Sequence, residues 1–381
     1  MEEEPLINSG VQHSPPKDRF NFVYIVFYIL GLGSLLPWNF FITAKEYYQF
    51  KLRNTSYPDE HFKDPTIQTE LQTVFEGTVA VASMVPNLLF NFITAAITKR
   101  MSLKTRMAVP VAIILLVFSC TVALTQVDTD NWQEQFYVIT IISVMIMNAC
   151  SSMFTASLFG LAGMFPVKYF QATMSGQAVG GIFAALANIL SLTGSEHIIE
   201  SGFWFFIAAS ITCIVTLLGC ISLHYINFST FYLHTQFQVE VSSSQLNDDT
   251  HAQSGTISKP HHEFIVILKK MWVQGLSVCL VFYVTLCCFP AVASAIGSVS
   301  NHKDEWTEKY FSVVVCFLLF NVGDWAGRSL AGMIKFPRAS HSTSLMVSSY
   351  LSEKAGAIMS VCLTVGLALG SLTSLLLVKV V

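Results

Sequence analysis

The string Phe320-Asn321-Val322-Gly323-Asp324-Trp325-Ala326-Gly327-Arg328-Ser329 carries the strongest chemical signal in the chain. Asp324 and Arg328 are four residues apart, so on a helix they share a face and can pair. They sit inside an apolar run, where a charge at mid-membrane depth costs about 2.5–3.5 kcal/mol on insertion scales. Either the pair locks helices together, or it lines a wet cavity where a carboxylate and a guanidinium meet a polar solute. A mixed role satisfies both. Asn321 lies one turn earlier on roughly the same face. A second string, Leu35-Leu36-Pro37-Trp38-Asn39-Phe40-Phe41, places a helix-kinking proline beside an indole and an amide. Pro37 frees a backbone carbonyl. Trp38 is either an interfacial belt aromatic or, with Asn39, a surface that stacks on a flat solute and reads its polar edges. Met84, Pro86 and Asn87 repeat the pattern of a kink with an amide beside it.

Other chemistry is thinly represented. The sequence has no Gly-x-Ser-x-Gly, His-Glu-x-x-His or phosphate loop, so an enzyme or an ATP-driven pump is not expected, and neither is a cofactor. The nine cysteines lie in apolar runs without zinc-site spacing, so no metal is expected either. Net charge is −3, which gives no basic footprint for nucleic acid.

The elements that must position these residues are membrane helices. Hydrophobic residues make up 53% of the 381 and charged residues only 12%, against about 25% charged in soluble domains. Apolar runs at about 21–44, 73–98, 106–126, 135–164, 171–194, 201–226, 272–298, 309–335 and 355–379 are each long enough to cross a ~30 Å hydrocarbon core. The expected fold is all-α: a polytopic helical membrane protein with two bundles, residues 20–226 carrying six spans and 270–381 three. Residues 227–269, rich in Ser, Gln, Asp and His, read as a disordered cytoplasmic loop.

Lys17, Arg19, Lys99, Arg100, Lys104, Arg106, Lys168, Lys269, Lys270, Lys335 and Arg338 fall on one side of this arrangement. The positive-inside rule then makes the N-terminus cytoplasmic and the C-terminus luminal or extracellular. Asn54-Thr55-Ser56 is a glycosylation sequon on the outer side, and Asn227-Phe228-Ser229 an inner, silent one. The tail 1–19 contains Glu2-Glu3-Glu4-Pro5-Leu6-Ile7, the form of an acidic dileucine sorting signal read by cytosolic adaptors through Glu2, Leu6 and Ile7. Three small-xxx-small patterns, Gly176–Gly180, Gly323–Gly327 and Gly366–Gly370, suit close helix packing or a flexible gate. Polar groups scattered through proline-kinked spans suggest a facilitated or ion-coupled carrier.

Several strings together resemble the equilibrative nucleoside transporter family. They are Leu-Leu-Pro-Trp-Asn-Phe-Phe-Ile-Thr-Ala (35–44), Ser-Leu-Phe-Gly-Leu-Ala-Gly-Met-Phe-Pro (157–166), Met-Ser-Gly-Gln (174–177), Phe-Asn-Val-Gly-Asp-Trp-Ala-Gly-Arg (320–328) and Ala-Gly-Ala-Ile-Met-Ser (355–360). The first string with Lys45-Glu46-Tyr47, and the acidic dileucine tail, are most similar to its third, endolysosomal subtype. The resemblance implies a major-facilitator-like architecture and sodium-independent, facilitative passage of nucleosides such as adenosine and uridine, and of nucleobases as a further class. For the subtype it implies a preference for acidic conditions, protons as a further partner, and a late endosomal or lysosomal address, with the plasma membrane as a second.

Residue by residue, the resemblance places Leu35, Trp38, Asn39, Met84, Asn87, Thr155, Ser157, Phe317, Asn321, Asp324 and Arg328 around the solute, with Asp324 and Arg328 at the ribose hydroxyls. Thr155 stands where many relatives carry a longer Gln that bonds the base. Gly176 and Gly181 match helix-packing glycines. Glu196 and Glu353 are the candidates for a pH sensor, if burial raises a carboxyl pKa, and solvated end charges otherwise. One departure matters. The family pattern has eleven helices, six then five, whereas here only about fifteen residues separate Pro337 from Ser352, which leaves the expected count two short of the pattern. The alternative expectation is therefore a non-transporting form that lacks a complete second bundle.

Overall fold

The structure, a computed structural model, describes residues 16–59, 62, 64, 66–97, 100–194, 197–233, 260–289, 293, 296, 304–333, 362, 364–370 and 373. The described elements are helical. They are α1 (Phe22–Thr43), α2 (Lys45–Lys51), α3 (Glu70–Ile97), α4 (Leu103–Thr125), α5 (Gln133–Gly163), α6 (Val167–Gly194) and α7 (Ile198–Ser222), followed by α8 (227–233), α9 (Pro260–Cys288) and α10 (Leu319–Met333). The π-helical segments Trp306–Tyr310 and Ser312–Leu318 lead directly into α10.

Local chemistry sets several boundaries. Asp18 accepts from the backbone N–H groups of Val23 and Tyr24 at the start of α1. Thr69 and Gln72 bond reciprocally at the start of α3: Thr69 N–H donates to Gln72 Oε1, and Gln72 N–H donates to Thr69 Oγ1. This is a capping box. Ser102 caps α4 by accepting from Thr105 N–H.

Among the described residues, seven helices are long and apolar enough to cross a membrane: Arg19–Thr43, Glu70–Thr94, Leu103–Thr125, Gln133–Gly163, Val167–Gly194, Ile198–Ser222 and Ser312–Leu330. The apolar stretch Gly275–Cys288 within α9 is shorter. Side chains such as Val85, Leu89, Leu116, Leu190, Leu218 and Val281 project outward. In water they would be a liability; in a bilayer they face lipid. Of the ninth expected span, residues 362, 364–370 and 373 are helical, and the rest lies outside the described residues.

The expected loop 227–269 needs correction at both ends. Residues 227–233 are helical because Phe228 and Tyr232, four apart, lie on one face and pack against Phe165 and Tyr169. α9 starts at Pro260, ten residues before the expected boundary. The apolar run marks only the part of a helix that suits lipid, and a helix extends past it into polar sequence at little cost. Residues 234–259 lie outside the described residues.

The core divides into two clusters along the α1–α7 bundle. Phe40, Phe41, Tyr47, Tyr48, Phe118, Phe205 and Phe206 fill the end that carries Asn54. Phe27, Phe154, Phe165, Tyr169 and Phe228 fill the opposite end. At the Asn54 end the two loops are tied together. Arg53 bonds both Asp130 carboxylate oxygens at 3.0 and 3.1 Å and reaches Asp59 at 2.8 Å. Lys51 Nζ donates to the Val127 carbonyl at 2.8 Å, and burial pushes its pKa down, opposed by Asp128 and Asp130.

α1 and α6 pack along a stripe of small residues. A Cβ added at Gly31 would overlap the Thr173 carbonyl oxygen, and one at Gly176 would overlap the Tyr28 carbonyl oxygen. Backbone meets backbone there, which only glycine permits. Gly366 and Gly370 approach the Cys279 and Tyr283 carbonyls of α9 in the same way. Gly323 and Gly327 differ: among the described residues they face open space.

Candidate solute-binding site

The site is built where α10 meets α6 and α1. Arg328 Nε donates to both oxygens of Asp324, at 2.9 and 3.0 Å. The two side chains are 15% and 32% exposed, so the pair is neither sealed off nor on an open surface. Arg328 Nη1 turns the other way, toward α6. It donates to Gln177 Oε1 at 3.3 Å and to the Met174 carbonyl at 3.5 Å. Gln177 Nε2 donates to Ser34 Oγ on α1 at 2.9 Å, and Ser34 Oγ donates to the Gly31 carbonyl at 2.7 Å.

The Ser34 carbonyl receives Ser151 Oγ from α5 at 2.6 Å and Thr155 Oγ1 at 3.5 Å. Pro37 has no N–H, so the carbonyl that loses its helical partner is that of Gly33, one residue earlier, while the Ser34 carbonyl uses its capacity for more than one donor to take hydroxyls from α5. Two sets of hydrogen bonds thus meet at Ser34 on α1: its hydroxyl takes the run from Asp324 through Arg328 and Gln177, and its backbone carbonyl takes Ser151 and Thr155 from α5.

Asn321 bridges the same interface a turn away. Its Nδ2 donates to the Phe317 carbonyl at 2.7 Å, and its Oδ1 lies where a Cβ on Gly181 would be. Gly181 therefore admits a polar side chain from α10, while Gly176 admits the backbone of α1. Phe317 is buried against Ala185, Cys316 and Phe289, with the Phe289 ring edge-on at 5.7 Å.

The expected site residues divide accordingly. Asp324 and Arg328 belong to the first set and Thr155 to the second, and Asn321 and Phe317 adjoin the first. Leu35 and Trp38 are half-buried on α1. Asn39 is buried, and its carbonyl accepts from Thr43 Oγ1 at 2.6 Å. Met84 is buried in α3, and the Asn87 carbonyl accepts from Ser152 Oγ at 2.7 Å. Ser157 donates back to the Met153 carbonyl of its own helix at 2.8 Å. Glu196, Glu353, Glu2, Leu6 and Ile7 lie outside the described residues.

Gln177, Ser34 and Ser151 were not singled out by sequence reasoning. A signal for Gln177 was present: it is the polar residue inside the Gly176–Gly180 stripe. Helices that approach at backbone contact leave no room for water, so an amide in the stripe has to bond across it.

Comparison with known proteins supplies the family. The Nucleoside transporter family model matches residues 141–351. Equilibrative nucleoside transporter 3 of Rattus norvegicus is 35% identical over 84% of this chain and 69% of its own length. Equilibrative nucleoside transporter 1 of Rattus norvegicus is 33% identical, and equilibrative nucleoside transporter 2 of Homo sapiens 31%, each over 84% of this chain and 76% of its own. The matched region contains the α5, α6 and α10 segments that hold Thr155, Gln177, Asp324 and Arg328, and on these grounds the chain belongs to the nucleoside transporter family.

Proposed function

We propose that this chain carries nucleosides across a membrane by facilitative, sodium-independent transport. The observation that carries the proposal is the Asp324–Arg328 pair, held at the α10–α6 boundary and hydrogen-bonded through Gln177 to Ser34 on α1. A carboxylate accepts and a guanidinium donates, which matches a ribose diol. Leu35, Trp38, Asn39, Met84, Asn87, Ser157, Phe317 and Asn321 complete the lining in this reading, with Trp38 supplying a stacking face for the base. Thr155 has a shorter reach than the Gln that many relatives carry there, so base recognition through it is weak and a broad substrate range, nucleobases included, is expected. In this reading the α1–α7 bundle and the second bundle, to which α9 and α10 belong, rock about the α6–α10 seam.

Further parts of the proposal rest on the chain's ends and loops. Asn54 lies in an exposed turn, where its Oδ1 accepts from Ser56 N–H at 3.1 Å. Lys17, Arg19, Arg100, Lys104, Arg106 and Lys168 lie at one end, against Lys45, Lys51 and Arg53 at the other, which supports a cytoplasmic N-terminus and a luminal C-terminus. Glycosylation of Asn54 is expected, and its check is a mobility shift that disappears in Asn54→Gln and on enzymatic deglycosylation. Adaptors reading Glu2, Leu6 and Ile7 would direct the protein to late endosomes or lysosomes, where Glu196 or Glu353 would give acid-favoured uptake, with protons sensed or coupled.

A second reading, a non-transporting form, draws support from Gly323 and Gly327, whose small-residue face is open among the described residues. Uptake of labelled uridine and adenosine into proteoliposomes at acidic and at neutral pH separates the two. Saturable uptake supports the carrier; folded protein that transports at neither pH supports the alternative.

A further inference from the structure

We propose that Gln177, itself fixed by Ser34, is a positioning residue that aims the Arg328 guanidinium at the solute; this rests on the carrier reading above. Gln177 is 3% exposed and Ser34 is fully buried. The Ser34 hydroxyl proton is committed to the Gly31 carbonyl, so Ser34 Oγ is left as an acceptor. That fixes the amide: Nε2 faces Ser34 and Oε1 faces Arg328. The reversed amide would set an NH2 against a guanidinium and a carbonyl against a hydroxyl with no proton to give. The polarity of the whole chain therefore follows from one serine.

The consequence falls on Arg328. Its Nε is occupied by Asp324 and its Nη1 by Gln177 and Met174. Among the described residues Nη2 has no partner, which leaves it as the donor edge for a solute hydroxyl. A guanidinium is planar, so fixing two of its nitrogens fixes the direction of the third. Gly176 and Gly180 bring α6 close enough to α1 for Gln177 to reach Ser34. The packing stripe and the solute contact are thereby coupled through one side chain.

The test is the ratio of initial uptake rates for uridine over 2′,3′-dideoxyuridine, each well below saturation. The analogue lacks the hydroxyls that Arg328 would meet. A merely structural role lowers both rates together and leaves the ratio unchanged. Gln177→Leu is expected to reduce the ratio about tenfold, the lower end for loss of a hydrogen bond to a charged group. Ser34→Ala, which leaves Gln177 in place but frees its amide, is expected to move the ratio the same way, and it serves if Gln177→Leu fails to fold. Arg328→Ala is the reference and should bring the ratio near one. A ratio that stays at the wild-type value in Arg328→Ala overturns the ribose reading and this inference with it. A ratio that collapses in Arg328→Ala but survives in both Gln177→Leu and Ser34→Ala overturns this inference alone.

Discussion

Asp324 and Arg328 each offset the other's desolvation, through a single Nε–H shared between both carboxylate oxygens. Because the pair is partly exposed, solvent screens it, and its value to folding is well below that of a sealed ion pair. The larger effect should fall on transport. Asp324→Ala or Arg328→Ala is expected to insert and fold yet lower uridine uptake to below about a tenth of wild type, from the loss of charge-assisted bonds to the solute. Uptake per folded molecule, normalised to a size-exclusion profile, checks this; normal uptake by both variants would remove them from the site. The pairing itself was readable, since i,i+4 spacing on a helix allows one geometry. The partners beyond it were not. That Arg328 would reach Gln177, and Gln177 would reach Ser34, depends on which helices neighbour one another, and the spacing within one helix says nothing of that.

The glycines make the argument at the level of elements. Three small-xxx-small patterns looked alike, and the structure separates them by what a methyl group would meet. At Gly176 it meets the Tyr28 backbone, which cannot move without parting α1 from α6. At Gly181 it meets the amide tip of Asn321, which can turn aside at the expense of its bond to Phe317. At Gly323 and Gly327 it meets nothing among the described residues. Gly176→Ala is therefore expected to lower the yield of folded protein. Gly181→Ala should fold but lose transport. Gly323→Ala and Gly327→Ala should be neutral or add up to about 1 kcal/mol, since alanine favours a helix over glycine. Detergent-solubilised yield and melting temperature across the four variants test the order. A strong loss at Gly323 would mean that its face is packed in the assembled protein. Apolar runs foretold the helices of the first bundle well, because lipid demands both length and apolarity. They missed α8 and the first turns of α9, where amphipathic packing and continued helical hydrogen bonding, rather than lipid, hold the backbone.

The whole molecule is tied at its Asn54 end by Arg53, which joins the loop after α2 to the loop after α4. Asp130 is a third exposed and Asp59 mostly exposed, so the two ion pairs are unequal. Arg53→Ala is expected to cost about 1 kcal/mol after screening, and Asp59→Ala almost nothing; thermal melts of the two variants show whether that order holds. The second bundle is the part least legible from composition. α10 commits the same short segment to the α6 seam and to the Asp324–Arg328 pair. The central claim is that this arrangement carries a nucleoside. Purified protein in proteoliposomes should take up labelled uridine saturably, without sodium, and stop when the gradient is spent; folded protein that takes up none at acidic or neutral pH would contradict it.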